Sequence, residues 1–218
     1  MNKFEIKYKA ISDTYQSVGF GTDQEPQSTI LLTTFSEAMG DSFKEGMKIL
    51  DYGCGSGRYC NFLSQRVNNF EYFGLEKPNS STLWGEQAIK VALSHFAQDK
   101  RVNFGFIDTP LEKKAIENCN VVLLLSVFTH TTILETHRII EKLLPLVLNG
   151  GKIIFSMIIG DSYQEEGNLY GHTDAFGVTY NTINQIEEIK NKFDVKITLE
   201  NVFLANGGFK HNIYSLYK

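Results

Sequence analysis

From Met47 onward the chain alternates short apolar runs with longer amphipathic stretches. MKILD (47–51), FEYFGLE (70–76), VNFGFID (102–108), NVVLLLS (120–126) and KIIFSMII (152–159) have strand length and are bounded by Gly, Pro, Asn or Asp. Between them GRYCNFLSQRV (57–67), STLWGEQAIKVALSHF (81–96), PLEKKAIEN (110–118) and TTILETHRIIEKLLPLVLN (131–149) read as helices. In the last, Ile133, His137, Ile140 and Leu144 recur at helical spacing, and Asn149-Gly150-Gly151 is expected to stop the helix. NVVLLLS and KIIFSMII are apolar on consecutive positions, the pattern of strands covered on both faces. Strand, helix, strand in repetition predicts right-handed crossovers and an α/β, doubly wound, mainly parallel sheet with helices on both faces.

The rhythm changes at the end of the chain. TINQIEEIKNKF (182–193) reads as a helix, but DVKITLENVFL (194–204) and HNIYSLYK (211–218) are joined only by ANGGFK (205–210). So short a link suits an antiparallel hairpin and leaves no room for a crossover helix. Residues 1–46 precede the sheet; QSTILLTTFSEAM (27–39) is a predicted helix, and Phe4, Tyr8, Tyr15 and Phe20 point to a segment that folds back on the domain as a lid. The expected organisation is an N-terminal segment 1–46 and one domain 47–218 carrying a loop insertion at 160–182.

The 218 residues suffice for one well-packed domain, and 42% hydrophobic with 21% charged residues is ordinary globular composition. No apolar run approaches the roughly 18–20 residues that cross a bilayer, and the first residues lack the apolar stretch of a secretory signal. Three cysteines without regular spacing point to reduced thiols and a cytoplasmic protein, with no zinc site and no metal expected. A net charge of −4 supplies no basic field for nucleic acid.

The densest chemistry lies in LDYGCGSGRYCNFL (50–63), where Gly53, Gly55 and Gly57 occupy alternate positions behind Asp51. Glycine is costly in ordered backbone, so three in one strand-to-helix turn imply close approach to a ligand rather than tight packing alone. A dinucleotide would ask for G-x-G-x-x-G, and a carboxylate at Asp51 would repel its pyrophosphate. The same carboxylate attracts an amino group or a sulfonium.

LDYGCGSG resembles the first motif of class I S-adenosylmethionine-dependent methyltransferases, acid-x-G-x-G-x-G. The resemblance runs from Met47 to Lys218, through an acid closing the second strand (Glu76), an acid closing the third (Asp108) and the terminal hairpin. It implies a seven-stranded sheet of order 3-2-1-4-5-7-6 with strand 7 antiparallel, and S-adenosyl-L-methionine as cofactor. The Gly53–Gly57 turn with Cys54 would wrap the methionine part, and Asp51 would help to hold it. Glu76, followed by Lys77, would accept hydrogen bonds from the ribose hydroxyls; it stands 19 residues past Gly57, close to the roughly 20 of dinucleotide enzymes. Asp108 would meet the adenine amine with Ile107 or Thr109 near the ring, although an Asp before Pro110 also suits a helix cap. Ser126 and Val127 complete the expected cofactor contacts.

The fourth strand ends in SVFTHTT (126–132), where base-modifying aminomethyltransferases carry an Asn or Asp, two prolines and an aromatic. It is similar to the corresponding motif of small-molecule members, some associated with sugars or glycans. The implied function is methyl transfer to a small polar acceptor, expected at a hydroxyl, of a sugar or glycan precursor among others; a catalytically inactive cofactor-binding subunit or sensor is the alternative. The partners are a small molecule, without nucleic acid or membrane. His130 is the first candidate base, because it follows the strand-four end and titrates near neutrality, though it could equally cap the next helix. His137, two turns on, could share that face or be half-buried in its helix. The insertion 160–182 is expected to act as a lid or to pack on its own aromatics, and its His172 with Asp174 is a second candidate base. His211 is expected to be structural.

Overall fold

The strands form because their residues can bury both faces. In β4 (Cys119–Leu124) Val121, Val122, Leu123 and Leu124 are all fully buried, alternate side chains entering opposite layers. Burying each such side chain is worth about 1.5–3 kcal/mol. A computed structural model describes residues 25–40, 44–78, 84–107, 117–165, 179–204 and 210–218. The helices are α1 (Glu25–Met39), α2 (Arg58–Ser64), α3 (Trp84–His95), α4 (Ile133–Leu143) and α5 (Ile183–Phe193). The remaining strands are β1 (Met47–Tyr52), β2 (Phe70–Glu76), β3 (Val102–Phe106), β5 (Val147–Ile159), β6 (Gln164–Glu165), β7 (Thr179–Asn181), β8 (Lys196–Leu204) and β9 (Lys210–Tyr217).

β1 lies in parallel between β2 and β4, β3 flanks β2, and β5 flanks β4. β9 runs antiparallel between β5 and β8. The sheet thus reads β3-β2-β1-β4-β5-β9-β8, which is the expected 3-2-1-4-5-7-6 once the two short insertion strands are set aside. The hairpin inferred from ANGGFK is the β8–β9 pair.

The insertion adds to the sheet. β6 pairs antiparallel with β7, and β7 pairs in parallel with the last residues of β5, Ile158 with Tyr180 and Ile159 with Asn181. Ile158 is already paired with His211 of β9 on its other edge, so β7 occupies the β4 side, past the point where β4 ends.

Two sequence expectations are corrected. The helix expected through Asn149 stops at Leu143 and tightens into a 3-10 turn at Leu144–Leu146, because Pro145 has no N–H to donate and its ring crowds the preceding turn. β5 then starts at Val147, not Lys152. Asn149-Gly150-Gly151 is a bulge in that strand: Cys119 pairs with Val147 and Val121 with Lys152, so extra β5 residues loop out. Gly150 has φ +80°, and a Cβ on Gly151 would lie 2.7 Å from the Asn120 carbonyl.

One face of the sheet carries Met47, Ile49, Tyr72, Val121, Ile154 and Ile213 under α1, α2 and α3; the other carries Leu50, Phe73, Val122, Phe155 and Leu216 under α4 and α5. On the first face α1 buries Leu32, Phe35 and Met39. It has no basic residue in its last turn, and Lys152 from β5, itself buried, donates from Nζ to the Ala38 carbonyl at 2.8 Å. A cation from another element thereby meets the negative end of the helix. Among the described residues no helix is long and apolar enough to cross a membrane.

Candidate functional site

The turn from β1 to α2 is built from left-handed backbone. Gly53, Gly55 and Gly57 have φ of +87°, +55° and +81°, a region costly for any residue with a side chain. A Cβ on Gly53 would stand 2.5 Å from Val127 Cγ2, and one on Gly57 would stand 2.7 Å from Phe104 Cζ. The turn is also pinned to β2: Gly53 and Cys54 donate to the Leu75 carbonyl at 2.7 and 3.1 Å, and Gly55 N–H donates to Glu76 Oε2 at 2.7 Å. Lys77 N–H donates to the other carboxylate oxygen at 2.9 Å. Gly57 is the N-cap of α2, so the first turn of that helix opens beside the loop.

Two acids sit under this turn. Asp51 is buried, and Tyr72 donates its hydroxyl to Asp51 Oδ2, while Asp51 Oδ1 is buried without a hydrogen-bond partner. Burial pushes its carboxyl up to about 6, against the Tyr72 bond and the Arg58 charge. Glu76 is pushed up to about 7, chiefly by burial; the Gly55 and Lys77 amides oppose the rise and Asp51 adds to it. Both carboxyls are thus harder to ionise than exposed ones, and a neighbouring cation or hydrogen-bond donor would favour their charged forms.

Of the expected cofactor residues the structure brings Asp51, Gly53, Gly55, Gly57 and Glu76 together at the carboxyl ends of β1 and β2. Val127 abuts the loop through Gly53. Cys54 turns its thiol inward, 2.9 Å from where a Gly74 Cβ would be, and burial pushes that thiol well above its ordinary range. Lys77 is exposed and reaches the site through its backbone N–H. Ser126 holds φ +57°, its N–H donating to Ser156 Oγ at 2.9 Å and its own Oγ buried without a partner. Asp108, Thr109, His172 and Asp174 lie outside the described residues.

His130 is exposed at the rim of the strand-four turn, its N–H donating to the Val127 carbonyl at 3.0 Å. The cap of α4 is Thr132, whose hydroxyl accepts from Glu135 N–H while Glu135 bonds back to Thr132 N–H. His137 does not join the site. It is buried against α5, Nδ1 3.2 Å from Lys192 Nζ and its ring edge-on to Phe193, and burial lowers its pKa. His211 is buried beside Ile158 on β9 at the same end of the sheet as His130; burial first, then the charge of His130, lowers it to about 4. Tyr163, from the insertion, accepts the Ile133 N–H at 3.1 Å and ties the insertion to the start of α4. Among the described residues no group of three or more His, Cys, Asp or Glu is placed to hold a metal.

Sequence reasoning missed several parts of the site. Gly74, in the middle of β2, leaves the space that the Phe104 ring and Cys54 Sγ fill beneath the loop; a glycine inside FEYFGLE was the available signal. Tyr72 carried none.

No family model and no curated protein matches the sequence. Solved structures do match in fold. Magnesium protoporphyrin IX methyltransferase from Synechocystis, with SAM bound, superposes with a TM-score of 0.61 at 15% identity, covering 100% of this chain and 92% of that one. An O-methyltransferase family protein from Burkholderia thailandensis gives 0.65 at 11% identity over 99% of this chain. The pyocyanin biosynthetic protein PhzM gives 0.58 at 14% identity over 86% of this chain. This chain spans 61% and 55% of the length of those last two proteins. The chain has the Rossmann-like fold of the S-adenosylmethionine-dependent methyltransferases, strand order and reversed strand included.

Proposed function

We propose that the protein is an S-adenosylmethionine-dependent methyltransferase that modifies a small polar acceptor at a hydroxyl. The observation that carries this is the acid pair under the glycine turn: Glu76 holding the loop through Gly55, and beside it a buried Asp51 oxygen with no partner. An unpaired buried acceptor costs about 1–3 kcal/mol, which a ligand donor restores. The donor set fits the cofactor. Asp51 suits an ammonium or sulfonium, and Glu76 retains acceptor capacity for two ribose hydroxyls. Asp108 and Thr109 are the proposed adenine contacts, with Ser126 and Val127 closing the crevice on the β4 side. The neighbours solved with SAM or SAH bound support the same choice.

When bound, S-adenosylmethionine supplies a methyl carbon already activated by its sulfonium leaving group. The chain's own task is then alignment and exclusion of water, and good orientation is worth about 7–11 kcal/mol. A hydroxyl acceptor must also lose a proton, a step in which a base typically contributes 10²–10⁴-fold. His130, at the rim of the strand-four turn, is the proposed base, with His172 and Asp174 as the second choice. Ser126 in place of the acid-Pro-Pro motif favours a small molecule over a nucleobase, a sugar or glycan precursor among the candidates.

The test is transfer of a labelled methyl group to a panel of small hydroxyl compounds. His130→Ala should cut turnover by about 10²-fold or more with S-adenosylhomocysteine affinity intact. Full activity in that variant removes His130 from the role, and absence of transfer to every acceptor defeats the enzymatic assignment.

A further inference from the structure

Beyond the acid pair, buried polar atoms without partners continue along the carboxyl edge of the sheet: Ser126 Oγ, then both Oδ1 and Nδ2 of Asn181. Asn181 is the last residue of β7 and is 1% exposed. Its backbone is held firmly. Gly160 N–H donates to the Asn181 carbonyl at 2.8 Å, and two residues earlier Thr179 N–H donates to the Thr129 carbonyl at 2.8 Å. Thr129 in turn donates its hydroxyl to the Ser126 carbonyl at 2.6 Å. Two hydrogen-bonded steps thus join β7, through Thr179, to the turn that flanks the glycine loop, while the Asn181 carboxamide is left without a partner. A buried amide with nothing to bond is expensive where a leucine of similar size would pack without penalty.

Taking the crevice as a methyltransferase site, we propose that Asn181, with the Ser126 hydroxyl, forms the acceptor subsite and selects a neutral, hydroxyl-bearing group. A carboxamide offers one acceptor and two donors side by side, and a serine hydroxyl offers one of each. A sugar-like hydroxyl donates and accepts at once and so satisfies both. A carboxylate has no hydrogen to donate to Oδ1, and an ammonium has no lone pair to accept from Nδ2, so either would leave one end of the amide unmatched. Strand β7 exists only through the insertion, which is therefore the element that brings this residue to the site. Asn181 is a specificity residue in this assignment and takes no part in proton transfer.

The experiment compares wild type with Asn181→Leu in the full chain, by thermal denaturation, by calorimetry with S-adenosylhomocysteine, and by saturation-transfer NMR with free glucose on the S-adenosylhomocysteine-loaded protein. Removing an unsatisfied amide should raise the melting temperature by about 2–4 °C. S-adenosylhomocysteine affinity should be unchanged, and saturation of glucose, seen with wild type, should be lost. In wild type the Asn181 side-chain amide resonances should shift on adding glucose. A fall in melting temperature or loss of the fold in Asn181→Leu would show that the amide is a structural bond and overturn the proposal. Equal glucose saturation in both proteins, or none in wild type, would also overturn it. Failure of wild type to bind S-adenosylhomocysteine is a separate outcome: it defeats the methyltransferase assignment on which the acceptor subsite rests.

Discussion

Glu76 ties the glycine turn to β2, and its protonation should be readable in the stability of the ligand-free protein. Its carboxyl rises from 4.5 to about 7 in the fold, mainly through burial. At roughly 1.4 kcal/mol per pKa unit this is about 3 kcal/mol, a large part of the 5–15 kcal/mol that holds most domains. A raised acid keeps its proton in the folded state after the unfolded chain has lost it. Its contribution is therefore complete below pH 4.5 and disappears as pH rises through about 7. Glu76→Gln is close in shape, keeps an oxygen for the Gly55 or Lys77 amide, and does not titrate. Urea denaturation of both proteins at pH 5 and pH 8 isolates the contribution of Glu76, since the other titrating groups are present in both. Wild type should lose about 2–3 kcal/mol more than the variant between the two pH values, because a little is already lost at pH 5, and this is roughly 1 M in urea midpoint. Stability curves that stay parallel within about 0.5 kcal/mol would refute the assignment of a proton to buried Glu76.

The same carboxyls should release protons on binding, because a ligand that pairs with Asp51 and Glu76 favours their ionised forms. Calorimetry with S-adenosylhomocysteine near pH 6.5 in two buffers of different ionisation enthalpy should report net proton release, and equal heats would contradict it. Gly53→Ala places a methyl 2.5 Å from Val127 at φ +87° and should weaken S-adenosylhomocysteine binding at least about tenfold by displacing the turn; unchanged affinity in calorimetry would rule that out. Gly74→Ala should destabilise by about 1–3 kcal/mol through its clash with the Phe104 ring, and Phe104→Leu should recover part of that loss in a double-mutant cycle. Lys152→Ala should cost about 1–2 kcal/mol in urea denaturation, because the last carbonyls of α1 lose their buried cation.

The architecture was legible because it follows from apolar patterning. NVVLLLS and KIIFSMII could only be strands buried on both faces, and ANGGFK was too short to hide a helix. The three glycines of the first turn were legible as a special backbone, and the structure gives each a left-handed φ, with Gly53 and Gly57 also packed against Val127 and Phe104. Asp51 and Glu76 meet in space because β1 and β2 are parallel neighbours, a pairing that strand order alone predicts. What stayed hidden depends on side chains meeting across elements. Gly74 matters through Phe104, 30 residues further along the chain in the neighbouring strand β3, and Tyr72 finds Asp51 only through the β1–β2 register. Asn181 looked like loop sequence, since the three residues of β7 are too few to show a period and gain their strand character from the end of β5. The misplaced end of α4 has a local cause. Pro145 was the stronger stop, and the glycines behind it served a bulge.

The most direct measurement is calorimetric titration of the full chain with S-adenosylhomocysteine, wild type beside Glu76→Ala. A single saturable site in wild type, weakened at least about tenfold in a variant that keeps its cooperative unfolding, is the predicted result. No binding to wild type, or equal affinity in both proteins, would contradict the placement of the nucleoside over the β1–β2 edge.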